Sequence, residues 1–243
     1  MNFALIGYGK MGRSIEALGI QQGHSFPLII DEENRTQLNA GNIKGIDAAI
    51  EFSTPSAAPG NIIECIDLGM PVVSGTTGWN EQISDMLSYC KEKNGTLFHS
   101  SNYSIGVNIL FALNRKLAGI MDQFPEYRVS MSEVHHIHKK DAPSGTAISL
   151  ADQILEMNRH FNSWYLKEGD KVADEKRGQV PIEAIREGEV KGRHTIHYES
   201  DLDSITLSHD AYTRDAFAAG ALLAASFIAG KKGIFGMQDL LKI

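Results

Sequence analysis

The sequence predicts an α/β chain: a parallel sheet flanked by helices, then an α+β part built on a mostly open mixed sheet. Three observations predict it. Up to Asn102, short apolar runs alternate with helical stretches at a spacing of roughly 25 residues, the rhythm of βαβ units. Beyond Asn102 the rhythm gives way to apolar–polar alternation, the pattern of half-solvated strands. An Ala-rich helical stretch then closes the chain. At 243 residues the length suits one large domain or two modest ones.

The elements follow in order. NFALI (2–6) is a buried strand and Met11–Gln22 a helix; PLII (27–30) is the second strand, with Pro27 at the first position, where a strand tolerates it. AAIEFS (48–53) is the third strand, followed by a helix over Ala57–Leu68. PVVS (71–74) is the fourth, then a helix over Glu81–Lys93, then TLFHS (96–100) as the fifth. Gly23, Gly69 and Gly95 each follow a helix, where a left-handed cap favours glycine. A helix over Val107–Met121 precedes a strand, YRVSMSEVHHIH (127–138). APSGTAISLADQIL (142–155) is a helix with Pro143 in its first turn. A polar loop spans Lys167–Gln179. IEAIREGEVKGRHTIHYES and DSITLSHDA supply the later strands, Asp215–Ala229 the tail helix, and GMQDLL (236–241) a short last one.

Composition excludes several classes. The chain is 42% hydrophobic and 22% charged, a globular balance without disorder or repeats. Its 23 basic and 30 acidic residues leave a net charge of −7, which repels nucleic acid and anionic lipid. No apolar run is long enough to span a membrane, and MNFALIGYGKMG carries neither a cationic leader nor a cleavage site. Cys65 and Cys90 form no CxxC pattern, which suits a reducing cytoplasm. A small anionic ligand therefore needs positive charge gathered locally.

GYGKMG (7–12) is a GxGxxG loop between a strand and a helix, with Asp31 ending the next strand 19 residues after Gly12. That context predicts a Rossmann-type dinucleotide site. Gly7 permits the tight turn, Gly9 the approach of a pyrophosphate, and Gly12 close helix–strand packing, with Tyr8, Lys10 and Met11 completing the loop. Asp31 accepts from ribose hydroxyls, and with Glu32 and Glu33 it repels a 2′-phosphate, so NADH is favoured over NADPH. Arg35 and Lys10 are the nearby cations that soften the repulsion. Phe52–Ser53, GTTG (Gly75, Thr76, Thr77, Gly78) and SSNYS (Ser100, Ser101, Asn102, Tyr103, Ser104) follow the third, fourth and fifth strands, where an open parallel sheet binds its ligand.

EVHHIHKKDAPSGTA (133–147) is the densest chemistry in the chain. On an extended strand His136 and His138 share a face and His135 points the other way. No further Asp, Glu or Cys spacing supports a metal site, and none is expected. Lys139 offers a full charge and His a proton near neutrality. The helix-start amides around Ser144, Gly145 and Thr146 complete an anion site with a proton donor, suited to a dicarboxylate.

HHIHKKDAPSGTA resembles the signature of the 4-hydroxy-tetrahydrodipicolinate reductase (dihydrodipicolinate reductase) family. GYGKMG, GTTG, NYSIGVN and GIFGMQDLL occur in the family's order, so the resemblance covers nearly the whole chain. It implies NAD(P)H-dependent reduction of an unsaturated cyclic dicarboxylate with loss of water, in lysine and diaminopimelate biosynthesis. On this chain it implies His135 as proton donor/acceptor and Lys139 as second proton donor. His136, Lys139, Ser144 (through its backbone), Gly145 and Thr146 match substrate positions. The cofactor positions correspond to Gly7 through Gly12, Asp31, Gly75 to Thr77 and Ser100 to Tyr103. It further implies a nucleotide domain over 1–103 and 214–243, a substrate and oligomerisation domain over 104–213, and a homotetramer. Departures are a glycine loop one residue shorter than in many relatives, Glu32 where some carry Arg, Tyr103 where Phe is frequent, and a short chain. Closure on binding is expected, with hinges at Asn102–Ser104 and Tyr212–Asp215.

Two other readings stand beside this one: an amino-acid dehydrogenase of two domains, which leaves DAPSGTA unexplained, and a nucleotide sensor, which leaves His135 and Lys139 unexplained. His24, His160 and His209 are expected to be ordinary surface or packed histidines. His194 and His197 fall on opposite faces of one strand and give no site, and Arg214 suits a salt bridge more than a ligand.

Overall fold

The structure of the chain, a computed structural model, describes residues 1–167, 178–213 and 215–243. Its strands and helices are β1 (Asn2–Ile6), α1 (Lys10–Gln21), β2 (Ser25–Ile30), β3 (Ala48–Glu51), α2 (Ala58–Asp67), β4 (Val72–Ser74), α3 (Ile83–Glu92) and β5 (Thr96–His99). Then come α4 (Ile105–Met121), β6 (Arg128–His135), α5 (Gly145–Met157), β7 (Ser163–Lys167), β8 (Gln179–Arg186) and β9 (Arg193–Glu199). The chain ends with β10 (Ser204–Asp210), α6 (Asp215–Ile228), β11 (Gly233–Phe235) and α7 (Met237–Leu241). Two compact units result: Met1–Ile105 with Asp215–Ile243, and Gly106–Arg214.

The first unit is a six-stranded parallel sheet in the order β11-β5-β4-β3-β1-β2. Its central strands β1, β3, β4 and β5 are largely buried on both faces, which is why they are continuous apolar runs. Phe3, Leu5 and Ile50 point to the side packed by α1 and α6, while Ala4, Ile6 and Ala49 point to the side packed by α2 and α3. Strand order reverses between β1 and β3, which opens a crevice at their carboxyl ends.

The second unit is a five-stranded mixed sheet in the order β10-β9-β6-β8-β7. Strand β6 pairs antiparallel with β9 and parallel with β8. Helices α4 and α5 cover one face, burying Leu110, Leu150 and Ile154 against Val129, Met131, Ile196 and Tyr198.

Several expectations need correction. Pro27 is the third residue of β2, not the first. It is tolerated because β2 lies at the sheet edge and its register against β1 slips there, between Asn2–Ser25 and Ala4–Leu28. Strand β6 stops at His135, so His136 and His138 do not share a strand face; they lie on a turn closed by Lys139 N–H donating to His136 O at 3.1 Å. Pro143 precedes the N-cap Ser144 and lies outside the helix. The left-handed residue after α3 is Asn94, not Gly95; Gly95 is small because a Cβ there would meet Ile66 at 2.9 Å. Strands β7 and β11 were not expected: each is too short, or too evenly half-buried, to show a period of two. Of the expected polar loop Lys167–Gln179, residues 168–177 lie outside the described residues, as does Arg214 with both its expected salt bridge and its place in the second hinge.

Candidate active site

The first unit presents a cleft of about 630 Å3 at the β1–β3 crevice, with Gly7, Tyr8, Gly9, Asp31, Phe52 and Ser53 in its walls. Gly7 has φ +93°, and a Cβ on it would stand 2.1 Å from the Phe52 carbonyl oxygen, so only glycine lets this turn close against β3. Gly9, the N-cap of α1, has open space where a Cβ would be. Bare backbone at a helix start, opening on a cleft with an acid on its far wall, fits a dinucleotide. Asp31 is exposed, and its Oδ1 accepts the N–H groups of Glu33 (2.9 Å) and Asn34 (3.2 Å), fixing the carboxylate at the end of β2. Tyr8 donates its hydroxyl to Glu16, and its ring lies under the Arg13 guanidinium, 5.3 Å from the centroid. Met11 packs into the α1–α6 core, while Lys10 is exposed at the start of α1.

The remaining nucleotide expectations are not walls of this cleft. Gly75 lies against the Phe52 ring, which a Cβ would strike at 2.0 Å. Thr76 is buried; its hydroxyl donates to Glu51 at 2.9 Å and accepts from Ser53 N–H at 2.8 Å. Thr77 and Ser101 are exposed, and Ser100 Oγ donates to Asn102 O at 2.8 Å. Tyr103 is a core residue: 2% exposed, it donates to Ser74 O at 2.7 Å. Its ring sits 5.6 Å from that of Phe52, so it can shape the crevice only from behind. Arg35, expected to soften the acidic repulsion of a 2′-phosphate, is held by Asn61 and Glu64.

Sequence reasoning missed Glu51. It is fully buried and accepts from Ser53 N–H and Oγ, Ser74 Oγ and Thr76 Oγ1, tying together the chain after β3 and β4. A lone acid inside the run AAIEFS was the available signal, because a buried carboxylate requires several donors.

The second unit gathers its chemistry where β6, β8 and β9 meet the start of α5. On β6 the inward positions are Val129, Met131, Glu133 and His135. Glu133 is fully buried. Its Oε2 accepts Ser144 N–H at 2.9 Å and its Oε1 faces Arg186 Nη2 at 3.4 Å. His135 Nδ1 and His194 Nε2 stand 3.7 and 3.8 Å from Oε2. Ser144 Oγ caps α5 by accepting Ala147 N–H and lies 3.0 Å from His194 Nε2. Arg186 also donates to the carbonyls of Lys139 (3.2 Å) and Asp141 (2.7 Å), bracing the loop that carries Lys139. Lys139 Nζ meets Asp141 at 2.5 Å, and that pairing holds the Asp141 carboxyl below its usual range.

Thus His135, Ser144 and the Lys139 loop come together, while His138 turns outward to Glu189 at 3.3 Å. Ser144 differs from expectation, since its N–H and hydroxyl are both engaged inside the chain. The amides of Gly145 and Thr146 remain at the helix start, making no hydrogen bond among the described residues. His194, expected to give no site, joins this cluster: it is buried, opposite Glu133 in the β6–β9 register. Alternation in RHTIHYE could have revealed it, because Ile196 and Tyr198 turn inward and carry His194 with them. The histidines also have the carboxylate partner that local spacing lacked. Donor atoms of Glu133, His135 and His194 all lie within 4.8 Å of one another, a grouping able to hold a metal ion. The Arg186 guanidinium, 3.4 Å from Oε1, already supplies one positive charge to the same carboxylate.

Burial lowers the His135 pKa below that of a free histidine; Glu133 opposes this, and Lys139 and Arg186 add to it. Burial, then the neighbouring His135, pushes His194 down to about 4. His194 is therefore neutral when folded but titrates near 6.5 when unfolded. Stability is present above about pH 6.5 and lost as pH falls towards about 4, by on the order of 3 kcal/mol. Urea unfolding across that range should show the decline, with a shallower slope for His194→Asn; equal slopes would contradict a buried neutral His194.

Comparison with known proteins follows the same division. Residues 1–103 match the family model described as "Dihydrodipicolinate reductase, N-terminus", and residues 106–241 match "Dihydrodipicolinate reductase, C-terminus". A 4-hydroxy-tetrahydrodipicolinate reductase of Christiangramia forsetii is 44% identical over 99% of this chain and 98% of its own. One from Pseudoalteromonas atlantica is 36% identical over 85% of this chain and 77% of its own. In structure, a dipicolinate-bound dihydrodipicolinate reductase from Paenisporosarcina sp. TG-14 shares the fold, with a TM-score of 0.76 at 22% identity over 98% of both chains.

Proposed function

Because the chain belongs to the dihydrodipicolinate reductase family, we infer that it reduces 4-hydroxy-tetrahydrodipicolinate to tetrahydrodipicolinate with NAD(P)H and loss of water, in lysine and diaminopimelate biosynthesis. The observation that carries the reading is His135, backed by buried Glu133, beside the open start of α5. The reduced nicotinamide supplies hydride when bound. Gly145 and Thr146 amides, at the positive end of α5, take one carboxylate, with Lys139 leaving Asp141 to pair with it and His136 alongside. Negative charge develops on the ring as it is reduced. His135, as the imidazolium, delivers the one proton that with the hydride completes the reduction. Lys139, as second donor, protonates the departing hydroxyl so that it leaves as water, and its free amine takes back the adjacent ring proton lost in that elimination, so no further net proton is consumed. Glu133 favours that imidazolium, and Gly192 leaves it room, since a Cβ there would lie 3.1 Å from His135 Nε2.

In the first unit, Gly7 to Gly12 and Asp31 hold the dinucleotide. Phe52 borders it, and Gly75, Thr76, Thr77, Ser100, Ser101 and Asn102 contribute mainly through backbone at the strand ends. Asp31, Glu32 and Glu33 favour NADH over NADPH. The reading extends to a homotetramer in a reducing cytoplasm. The second part is supported by two buried cysteines that form no disulfide.

Oxidation of NADH, followed with freshly generated 4-hydroxy-tetrahydrodipicolinate, tests the activity directly, and absence of turnover with either cofactor rejects it. The pH dependence tests the proton donor. Since His135 is depressed, kcat/KM falls as pH rises above a value lower than 6.5. A bound dianion raises that pKa, so the corresponding limb of kcat lies at higher pH. Coincident limbs would exclude His135.

A further inference from the structure

We propose that Glu64 and Asn61 select NADH over NADPH by holding Arg35, the one cation in the wall of the nucleotide cleft among the described residues. The inference rests on the dinucleotide reading of that cleft. Its charged lining is otherwise acidic: Asp31, Glu32 and Glu33. A 2′-phosphate beside Asp31 needs a guanidinium to offset those carboxylates, and Arg35 begins a short helical turn close behind them.

Arg35 is engaged elsewhere. Nη1 donates to Asn61 Oδ1, and Nη2 pairs with Glu64 Oε2 at 2.9 Å. Asn61 is no mobile surface group: 2% exposed, it donates through Nδ2 to Ser53 Oγ at 3.1 Å, and that hydroxyl donates to buried Glu51. Both acceptors project from α2, so Arg35 is drawn to that helix by a neutral anchor fixed from within and a charged one at the surface. Glu64 also cancels the charge that would attract a phosphate. Exposed ion pairs are individually weak, but here a buried amide fixes the geometry, and the phosphate would have to break both bonds.

Glu64→Gln leaves the helix intact, removes the charge and weakens the hold on Nη2. Fluorescence titration of the full-length protein should show NADPH binding tightened by roughly tenfold, with NADH binding unchanged. Adding Arg35→Met should abolish the gain. An unchanged NADPH affinity in Glu64→Gln overturns the proposal, as does a gain that survives Arg35→Met, because the field of Glu64 alone would then be responsible. The titration needs no dicarboxylate. If neither cofactor binds the unmodified protein, the dinucleotide reading itself fails; if both bind at an unaltered ratio, only the role of Glu64 fails.

Discussion

The His135→Gln variant is expected to lose roughly 10²- to 10⁴-fold in kcat, the usual contribution of a positioned acid, with NADH affinity unchanged. The separation follows from the fold: His135 ends β6 in the unit Gly106–Arg214, whereas the nucleotide cleft is built from Met1–Ile105. Glutamine can still donate a hydrogen bond, but it cannot carry the proton that a depressed histidine picks up as pH falls. The pH limb of the wild-type profile should therefore vanish in the variant, which a merely structural residue would not cause. Steady-state kinetics with a parallel NADH titration checks both parts. A fall of less than about tenfold, or a retained pH limb, removes His135 from the proton step.

Glu133→Ala is expected to be costly in a second way. The carboxylate is fully buried and carries Ser144 N–H, the Arg186 guanidinium and the approach of two histidines. Removing it strands a half-buried arginine and an amide, and breaking a buried pair typically costs about 3–5 kcal/mol. Glu133→Gln keeps an acceptor and the side-chain volume, so its loss should be nearer 1–3 kcal/mol. The isostere isolates electrostatics: the Glu133 carboxylate raises the His135 pKa, while burial, Lys139 and Arg186 all lower it. With glutamine in place the kcat/KM limb should move to lower pH, leaving less imidazolium and less activity at neutrality. Urea unfolding reads the first effect and the pH profile the second. An unshifted limb in a folded Glu133→Gln protein would mean that Glu133 only holds α5 to the sheet.

The parallel sheet was legible because its signals are local. Buried strands show as apolar runs, helices as periodic stretches between them, and GYGKMG with Asp31 marks the turn where the first βαβ unit can admit a phosphate. Tertiary context overrides a short pattern at two places: Pro27 sits inside a strand because that strand is an edge, and HHIH leaves the sheet after its first histidine. Tyr103 looked like a crevice residue from its position after β5, yet its large apolar ring goes to the core, with the hydroxyl satisfied by Ser74 O.

By itself the sequence determined the fold class and the dinucleotide loop, and it marked the segment Glu133–Ala147 as the candidate for the chemistry, because each is a contiguous run with its own period or composition. Only the tertiary structure decided which side chains surround that segment. Glu133 lies 53 residues before Arg186 in the chain, and the pairing of β6 with β8 and β9 brings Arg186 and His194 to its one carboxylate. The same holds for Arg35, whose charge is plain in the sequence but whose freedom depends on two residues of α2. Register and packing set which charges are paired and which remain for a ligand, and neither is written in local spacing.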